Sequence, residues 1–226
     1  MSIFSTHSST PPVVMNLLIA NVVVFLAQML FESPMLEYFA LYNVDFRCLE
    51  PNCTLFYIWQ PFTYMFMHGG FTHLFFNMFS LWMFGRQLEY DLGWKRFLIY
   101  YLVCGVGAAL FQMGIAQIDL SGMPVWSNDW LMYMGTPTVG ASGAIFGLLL
   151  AFGMLYPNAI ISLLFPPISM RAKWFVVVYG GLELFLGVSG TMSGVAHFAH
   201  LGGMFWGWLL LLLWRYIDRR RRNYYY

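Results

Sequence analysis

Six long runs of apolar residues are the feature that most constrains the fold of this chain. Each has the length, about 17–25 residues, that an α-helix needs to cross about 30 Å of hydrocarbon. The runs are continuously apolar and too long for the strands of a membrane β-barrel, the other structure that can span a bilayer. They lie approximately at 13–31, 69–88, 95–117, 140–156, 173–190 and 195–216.

The composition agrees with this interpretation. Hydrophobic residues make up 60% of the chain and charged residues 9%, against about 45–50% and about 25% in ordinary soluble domains. No basic leader precedes the first run, which indicates a retained helix rather than a signal peptide. The sequence therefore predicts an all-α polytopic membrane protein, a bundle of six transmembrane helices.

The distribution of Lys and Arg predicts the orientation. Basic residues follow the second, fourth and sixth runs, and Arg47 alone lies in a loop of the opposite parity. By the positive-inside rule both termini are cytoplasmic, and the expected location is a bacterial inner membrane. Residues 1–12 and 218–226 are then cytoplasmic tails around one domain at 13–217. The basic run Arg219–Arg222 is interpreted as a topology anchor, so no nucleic-acid partner is expected.

The first outer loop, 32–60, is rich in aromatic residues, which favours short segments lying at the membrane interface. It contains Cys48 and Cys53. The sequence leaves open whether these two cysteines form a disulfide. Cys104, inside the third run, is expected to be a small core residue.

Polar residues within the apolar runs require an explanation, because burying them in a bilayer is costly. His73 and Asn77 lie on one face near the start of the second run, Ser142 near the start of the fourth, and His200 near the start of the sixth. These three runs have the same direction, so the four side chains are expected at one shallow depth below the outer surface. For Glu183, in the fifth run, a functional role and an interhelical bond remain equally open.

Glycines predict how these helices meet. Small residues on one helix face allow two membrane helices to approach closely. Such contact between the fourth and sixth runs would bring Ser142 and His200 within hydrogen-bond distance, about 2.6–3.2 Å. The two faces consist of Gly140, Gly143 and Gly147 on the fourth run, and of His200, Gly203 and Gly207 on the sixth.

This combination favours nucleophilic catalysis without a metal or cofactor. A serine hydroxyl needs a neighbouring base, and a neutral imidazole suits that role near pH 7. The Asn77 amide, a His73 ring nitrogen and the Ser142 backbone N–H are candidate donors to an oxyanion. No Asp or Glu lies near the outer ends of the second, fourth or sixth runs. A Ser–His dyad is therefore predicted rather than a triad.

The polar residues in the apolar runs also have other interpretations. Serine in a membrane helix often bonds to its own backbone, and intramembrane His or Asn often joins helices. A proton-coupled transporter using His73, His197, His200 and Glu183 would spread polar groups across the bilayer and needs paired broken helices. A metalloprotease is disfavoured, because HFAH has no HExxH pattern and no nearby carboxylate in the sequence.

Three motifs in this order resemble the rhomboid family of intramembrane serine proteases. They are WQPFTYMFMHGGFTHLFFNMFSLWMFGRQLE at 59–89, GASG at 140–143 and AHFAHLGGMFWG at 196–207, and the resemblance extends over about 13–217. It implies that Ser142 is the nucleophile and that His200, rather than His197, is the base. It also implies that His73 and Asn77 surround the oxyanion.

The resemblance implies further roles. Phe146 matches an aromatic position that packs beneath the catalytic imidazole. Trp59 and Gln60 match a tryptophan–arginine pair, and the glutamine places a salt bridge of the first loop in doubt. Glu89 matches a structural carboxylate, expected to bond the region between the second and third helices.

The resemblance also implies the partners. The expected substrates are single-pass membrane proteins cut in or near their spanning segments, within a lipid bilayer. The alternative is a catalytically silent relative that binds membrane segments. The oligomeric state stays open.

Overall fold

The computed structural model describes residues 9–48, 53–163, 167–189 and 196–224, and the described chain is mainly helical. Four helices in this part are long and apolar enough to cross a membrane. They coincide with the first, third, fifth and sixth predicted spans to within four residues at each end. The protein is thus an integral membrane protein. These helices are Pro12–Leu30, Trp94–Ser121, Ala172–Ser189 and His197–Arg220.

The helices and strands are numbered in chain order. They are α1 (Pro12–Leu30), α2 (Glu32–Phe39), α3 (Gln60–Thr63) with a 3-10 turn (Tyr64–Phe66), α4 (Phe71–Ser80), a π-helical turn (Leu81–Gly85), α5 (Arg86–Leu92), α6 (Trp94–Ser121), α7 (Asn128–Gly135), α8 (Ser142–Leu155), β1 (Ile160–Ser162), β2 (Ser169–Arg171), α9 (Ala172–Ser189) and α10 (His197–Tyr224).

The second and fourth predicted spans are helical but are not simple spanning helices. The second consists of α4, the π-helical turn and α5, which follow one another without a break. The fourth is α8, with 14 residues, which corresponds to a length of about 21 Å. That is less than the roughly 30 Å of the hydrocarbon core. Ser142, its first residue, can therefore begin the helix below the membrane surface.

A small hairpin departs from the all-α prediction. β1 and β2 pair antiparallel, with Ile160 opposite Arg171. The hairpin precedes α9 directly, and the backbone N–H of Ala172 bonds to the carbonyl of Ala159. A short strand satisfies its backbone N–H and C=O groups by pairing with a neighbouring strand. Its side chains alternate between the two faces, a pattern that hydropathy averaged over a long window does not detect.

The packing of α8 against α10 depends on glycine. A methyl group added at Gly203 would overlap the carbonyl of Gly143, and one added at Gly147 would lie 3.1 Å from the carbonyl of Gly203. The predicted close approach of these two helices is therefore present. Gly207 differs from the prediction, since its free side lies against Tyr100 and Cys104 of α6. α6 packs against both α8 and α10.

Glu89 has a different partner from the one predicted. Its carboxylate oxygens accept hydrogen bonds from the backbone N–H groups of Val13, at 2.9 Å, and Val14, at 2.7 Å. The expectation that it joins the second and third helices is wrong. The first N–H groups of a helix have no partner within it and attract negative charge, so this buried carboxylate stabilises the start of α1.

The loop at residues 32–60 is packed against the bundle rather than lying only at the membrane interface. Asp45 is buried and accepts hydrogen bonds from Arg47 and from the indole of Trp130, which is itself fully buried. Cys48 and Cys53 are joined in a disulfide, which answers the question that the sequence left open. The four residues between them lie outside the described part of the chain.

Candidate active site

Ser142 and His200 meet where α8 and α10 begin. The His200 Nε2 atom lies 2.8 Å from the Ser142 hydroxyl oxygen. His200 is buried, and Ser142 is half-buried. The closest glycine contact between the two helices joins Gly143, the residue after Ser142, to Gly203, three residues after His200. This contact sets the separation at which the two side chains face each other.

Gly140 shapes the chain just before the serine. Its φ is +127°, a backbone conformation that favours glycine. A Cβ atom at this position would also lie 2.8 Å from His73 Cε1. The glycine therefore allows the segment before α8 to pass beside His73. Ser142 follows as the first residue of α8, where the helix leaves its backbone N–H free for another acceptor.

His73 presents a ring N–H to this segment. Its Nδ1 accepts a hydrogen bond of 3.2 Å from the backbone N–H of Gly69. In a neutral imidazole the proton is then on Nε2. A Cβ at Gly140 would lie 2.9 Å from that Nε2, so the donor points to the loop that carries Ser142.

Asn77 lies one turn further along α4 and is buried. Its side-chain nitrogen donates a 2.8 Å hydrogen bond to the carbonyl of His73. An amide nitrogen has two N–H groups, so this bond holds the side chain while the second donor remains. His73 and Asn77 thus lie on one face of α4, and their role as donors to an oxyanion stays a prediction.

A cavity of about 390 Å³ joins these groups. Its wall combines the four predicted polar side chains with apolar ones from several helices, a combination typical of a ligand-binding pocket. The lining residues are Tyr64, His73, Phe76, Asn77, Ser80, Thr138, Val139, Ser142, Gly143, Ile145, Phe146, Ala196, Ala199 and His200.

Glu183 supplies an acid that the sequence analysis did not assign to the site. Its Oε2 lies 2.6 Å from His197 Nδ1 and 3.0 Å from His200 Nδ1. The outer ends of the second, fourth and sixth spans hold no acid, and Glu183 reaches the imidazole from α9. The available signal was the isolated carboxylate within an apolar helix, which a membrane tolerates only with partners.

The same three side chains form a group that could hold a metal ion. The ligand atoms of Glu183, His197 and His200 all lie within 4.8 Å of one another. Two imidazoles and a carboxylate are a ligand set known from zinc enzymes. In the described part of the chain, the carboxylate oxygen makes a hydrogen bond of 2.6 Å with His197 Nδ1 and a close contact of 3.0 Å with His200 Nδ1.

His68 and Gln28 support the site and were missed by the sequence analysis. Gln28 of α1 donates to the His68 carbonyl at 2.8 Å and accepts from its N–H at 3.1 Å. The His68 ring meets His73 edge to face, with centroids 5.2 Å apart. Burial lowers the pKa of His68 to about 4, so the ring that supports His73 is neutral near pH 7.

Gln60 occupies the place where the resemblance led us to expect arginine. The side chain is fully buried and bonds to three backbone groups of the first loop, those of Glu37, Tyr42 and Leu55. A neutral amide satisfies both a donor and an acceptor there. The neighbouring Trp59 donates its indole N–H to the carbonyl of Tyr38.

Comparison with known proteins identifies the family. The family model described as Rhomboid domain matches residues 56–217. The chain belongs to the rhomboid family. This rhomboid is 28% identical over 221 residues to Rhomboid protease AarA of Providencia stuartii, a match that covers 92% of this chain and 74% of that protein.

Two eukaryotic relatives are similar over about two thirds of the chain. RHOMBOID-like protein 5 of Arabidopsis thaliana is 32% identical over 155 residues, which is 68% of this chain and 44% of that protein. Rhomboid protein 1, mitochondrial, of Saccharomyces cerevisiae is 30% identical over 152 residues, which is 64% of this chain and 40% of that protein. The match thus spans less than half the length of these two relatives.

Proposed function

We propose that this rhomboid is an intramembrane serine endopeptidase that cleaves peptide bonds in or near the spanning segments of single-pass membrane proteins. The observation that carries the proposal is the 2.8 Å separation between Ser142 Oγ and His200 Nε2. These are the groups that acyl transfer requires, a hydroxyl nucleophile and a base within reach of its proton. The name of the relative AarA, a rhomboid protease, supports the same class of reaction.

The reaction begins with attack of the Ser142 oxygen on the substrate carbonyl carbon. His200 Nε2 takes the hydroxyl proton as the new C–O bond forms, and the carbonyl electron pair moves onto oxygen. The His73 Nε2–H, the free Asn77 N–H and the Ser142 backbone N–H are the donors for that oxyanion. His200 then gives its proton to the leaving amine, and water hydrolyses the acyl-enzyme with His200 as base again.

The proposed topology has six spans, with the α4–α5 helix and α8 as the second and fourth. Both termini are cytoplasmic, and the membrane is a bacterial inner membrane. α8 supports this arrangement, because a 14-residue helix that ends at the inner surface starts below the outer one. Water and an unwound substrate segment would then reach Ser142 from outside. Reporter fusions at the loops between spans test the orientation.

Substitution of the two central residues tests the proposal. Purified Ser142→Ala and His200→Ala proteins, with a single-pass membrane protein as substrate in vesicles, should each lose cleavage. Residual catalysis by the remaining oxyanion donors is expected to be at least about 10³-fold below the rate of the unmodified protein. Cleavage by Ser142→Ala at the normal rate would refute the mechanism.

A serine-directed fluorophosphonate separates the enzyme from a catalytically silent relative. An activated Ser142 should be phosphonylated, and the His200→Ala variant should not, because the hydroxyl then lacks its base. Absence of labelling in the unmodified protein would favour the silent relative. Cleavage that is unchanged by a chelator is expected, since no step uses a metal ion.

A further inference from the structure

Glu183 is a carboxylate within an apolar, spanning helix. It is 8% exposed and is the twelfth of the 18 residues of α9, and the neighbouring side chains of Leu182 and Leu184 are exposed. A charge in this position is costly, so it requires partners. The described partners are His197 and His200, both at the start of α10.

The two ring nitrogens of His200 have different surroundings. Nε2 lies 2.8 Å from the Ser142 hydroxyl, and Nδ1 lies 3.0 Å from Glu183 Oε2. For Nε2 to accept the serine proton, the ring proton must be on Nδ1. The acceptor that fixes this tautomer would be the Glu183 carboxylate.

The contact between His200 Nδ1 and Glu183 is close but not aligned. Nδ1 is buried and has no partner within hydrogen-bond geometry, although the separation of 3.0 Å is short enough. The direction of the Nδ1–H bond, rather than the distance, is what prevents a hydrogen bond to Glu183 Oε2. Catalytic hydrogen bonds are often poorly aligned without substrate and become aligned when it binds.

His197 holds the carboxylate at this place. Its Nδ1 bonds to the same oxygen, Glu183 Oε2, at 2.6 Å, and both side chains are buried. α9 also approaches α10 closely here, because a Cβ at Gly187 would lie 3.3 Å from the Cβ of His197. The resulting order is His197, Glu183, His200, Ser142, four side chains from α8, α9 and α10 in one chain of contacts.

We propose that Glu183 is a positioning residue for the catalytic imidazole and that His197 holds Glu183 in place, an inference that rests on the proposed function. When Ser142 loses its proton to His200 Nε2, the imidazolium carries its positive charge beside the Glu183 carboxylate. The carboxylate takes no proton; it orients the ring and stabilises the charge. In a buried site of low dielectric this interaction is stronger than in water.

The competing explanation is an interhelical bond between α9 and α10 with no effect on chemistry. The two explanations differ in the kinetic constant they affect. Loss of a positioning carboxylate lowers kcat and leaves KM nearly unchanged, because the interaction strengthens only in the transition state. Loss of a purely structural bond lowers thermal stability, and activity falls only through the fraction of protein that unfolds.

The experiment uses the full chain in vesicles and compares Glu183→Gln, Glu183→Asp and His197→Gln. We expect Glu183→Gln to lower kcat on the order of 10²-fold or more, with KM nearly unchanged. Glu183→Asp should recover part of that loss, because it restores the negative charge. His197→Gln, which can still donate to the carboxylate, should lose less than Glu183→Gln. The rate of Ser142 phosphonylation should follow the same order.

Glu89→Gln is the matched control, since Glu89 is also a buried carboxylate but bonds to the start of α1. It should lower the Tm and leave kcat of the folded protein unchanged. The proposal would be overturned if Glu183→Gln had a normal kcat, or if it behaved like Glu89→Gln and lost Tm without losing kcat.

The Ser142→Ala variant shows which proposal has failed. If Ser142→Ala abolishes cleavage and Glu183→Gln does not lower kcat, the positioning role is wrong and the proposed function stands. If Ser142→Ala still cleaves, the proposed function itself is wrong. If Glu183→Gln does not fold, Glu183→Asp and His197→Gln decide between the two explanations. A lower kcat with little change in Tm supports the positioning role, whereas a lower Tm with unchanged kcat supports the purely structural bond.

Discussion

The Phe146 ring lies flat against the His200 imidazole, with ring centroids 4.3 Å apart and an interplanar angle of 7°. Phe146 is on α8, one turn after Ser142, so the same helix carries the nucleophile and a support for the base. The ring limits rotation of the imidazole about its side-chain bonds. This contact orients His200 from the face, whereas Ser142 and Glu183 lie at its two nitrogens.

Removal of the flat ring at Phe146 should impair catalysis more than folding. Phe146→Leu keeps an apolar side chain but loses the stacked face, and we expect kcat to fall about 10-fold, the equivalent of an aromatic contact of about 1.4 kcal/mol. Phe146→Tyr keeps the ring and should retain most activity. Steady-state cleavage with Tm measured in parallel checks this, and equal activity of the two variants would contradict it.

Asn77→Ala should lower kcat on the order of 10²–10³-fold if its free N–H serves the oxyanion. The matched control is Asn21→Ala in α1, because Asn21 is also buried and donates to the carbonyl four residues earlier, that of Leu17, at 2.7 Å. Asn21 does not line the cavity at Ser142, so its substitution should leave kcat unchanged. Equal kinetic losses in both variants would mean that Asn77 acts only within its helix.

Gly203→Ala should separate α8 from α10. The added methyl would overlap the Gly143 carbonyl, and forced overpacking typically destabilises by about 1–3 kcal/mol. We expect a lower Tm and loss of Ser142 phosphonylation, because the two helices carry the serine and the histidine. Gly181→Ala on α9 is the control, since nothing lies within 4 Å of its added Cβ. A Gly203→Ala protein with normal Tm and labelling would exclude this role of the helix contact.

The Asp45–Arg47 pair should make the first loop sensitive to acid. The Arg47 guanidinium, which donates to Asp45 at 2.7 Å, holds the pKa of that carboxyl well below its usual range despite burial, and the Trp130 indole contributes further. Because the pKa of Asp45 is lower in the folded state than in the unfolded chain, where it is about 3.9, the ionised carboxyl stabilises the folded protein above that pH. This stabilisation is lost progressively as the pH falls below about 3.9.

The Tm of the unmodified protein and of Asp45→Asn, measured from pH 7 to pH 3, checks this prediction. The substitution should lower the Tm at pH 7, and the difference should shrink below about pH 4, where the carboxyl of the unfolded chain begins to take up its proton while that of the folded protein stays ionised. Arg47→Gln should reproduce the loss at pH 7. A Tm difference that does not change with pH would show that Asp45 contributes through packing alone.

Hydropathy along the sequence was enough to locate α1, α6, α9 and α10, because a lipid-exposed helix must be apolar over a length set by the bilayer. Topology was enough to expect His73, Asn77, Ser142 and His200 together, because helices with the same direction place their starting residues at one depth. Both arguments depend only on position along the chain. The catalytic roles of these residues stay predictions.

Tertiary structure alone decided which side chain lies at His200 Nδ1. Glu183 reaches that atom from α9, and neither spacing nor depth in the sequence determines how far α9 tilts or which face it turns to α10. The same holds for Glu89, whose partners are N–H groups of α1, 75 residues away along the chain. A sequence determines what a segment can bury, whereas the partner of a buried polar group depends on how helices pack, which is a property of the whole chain.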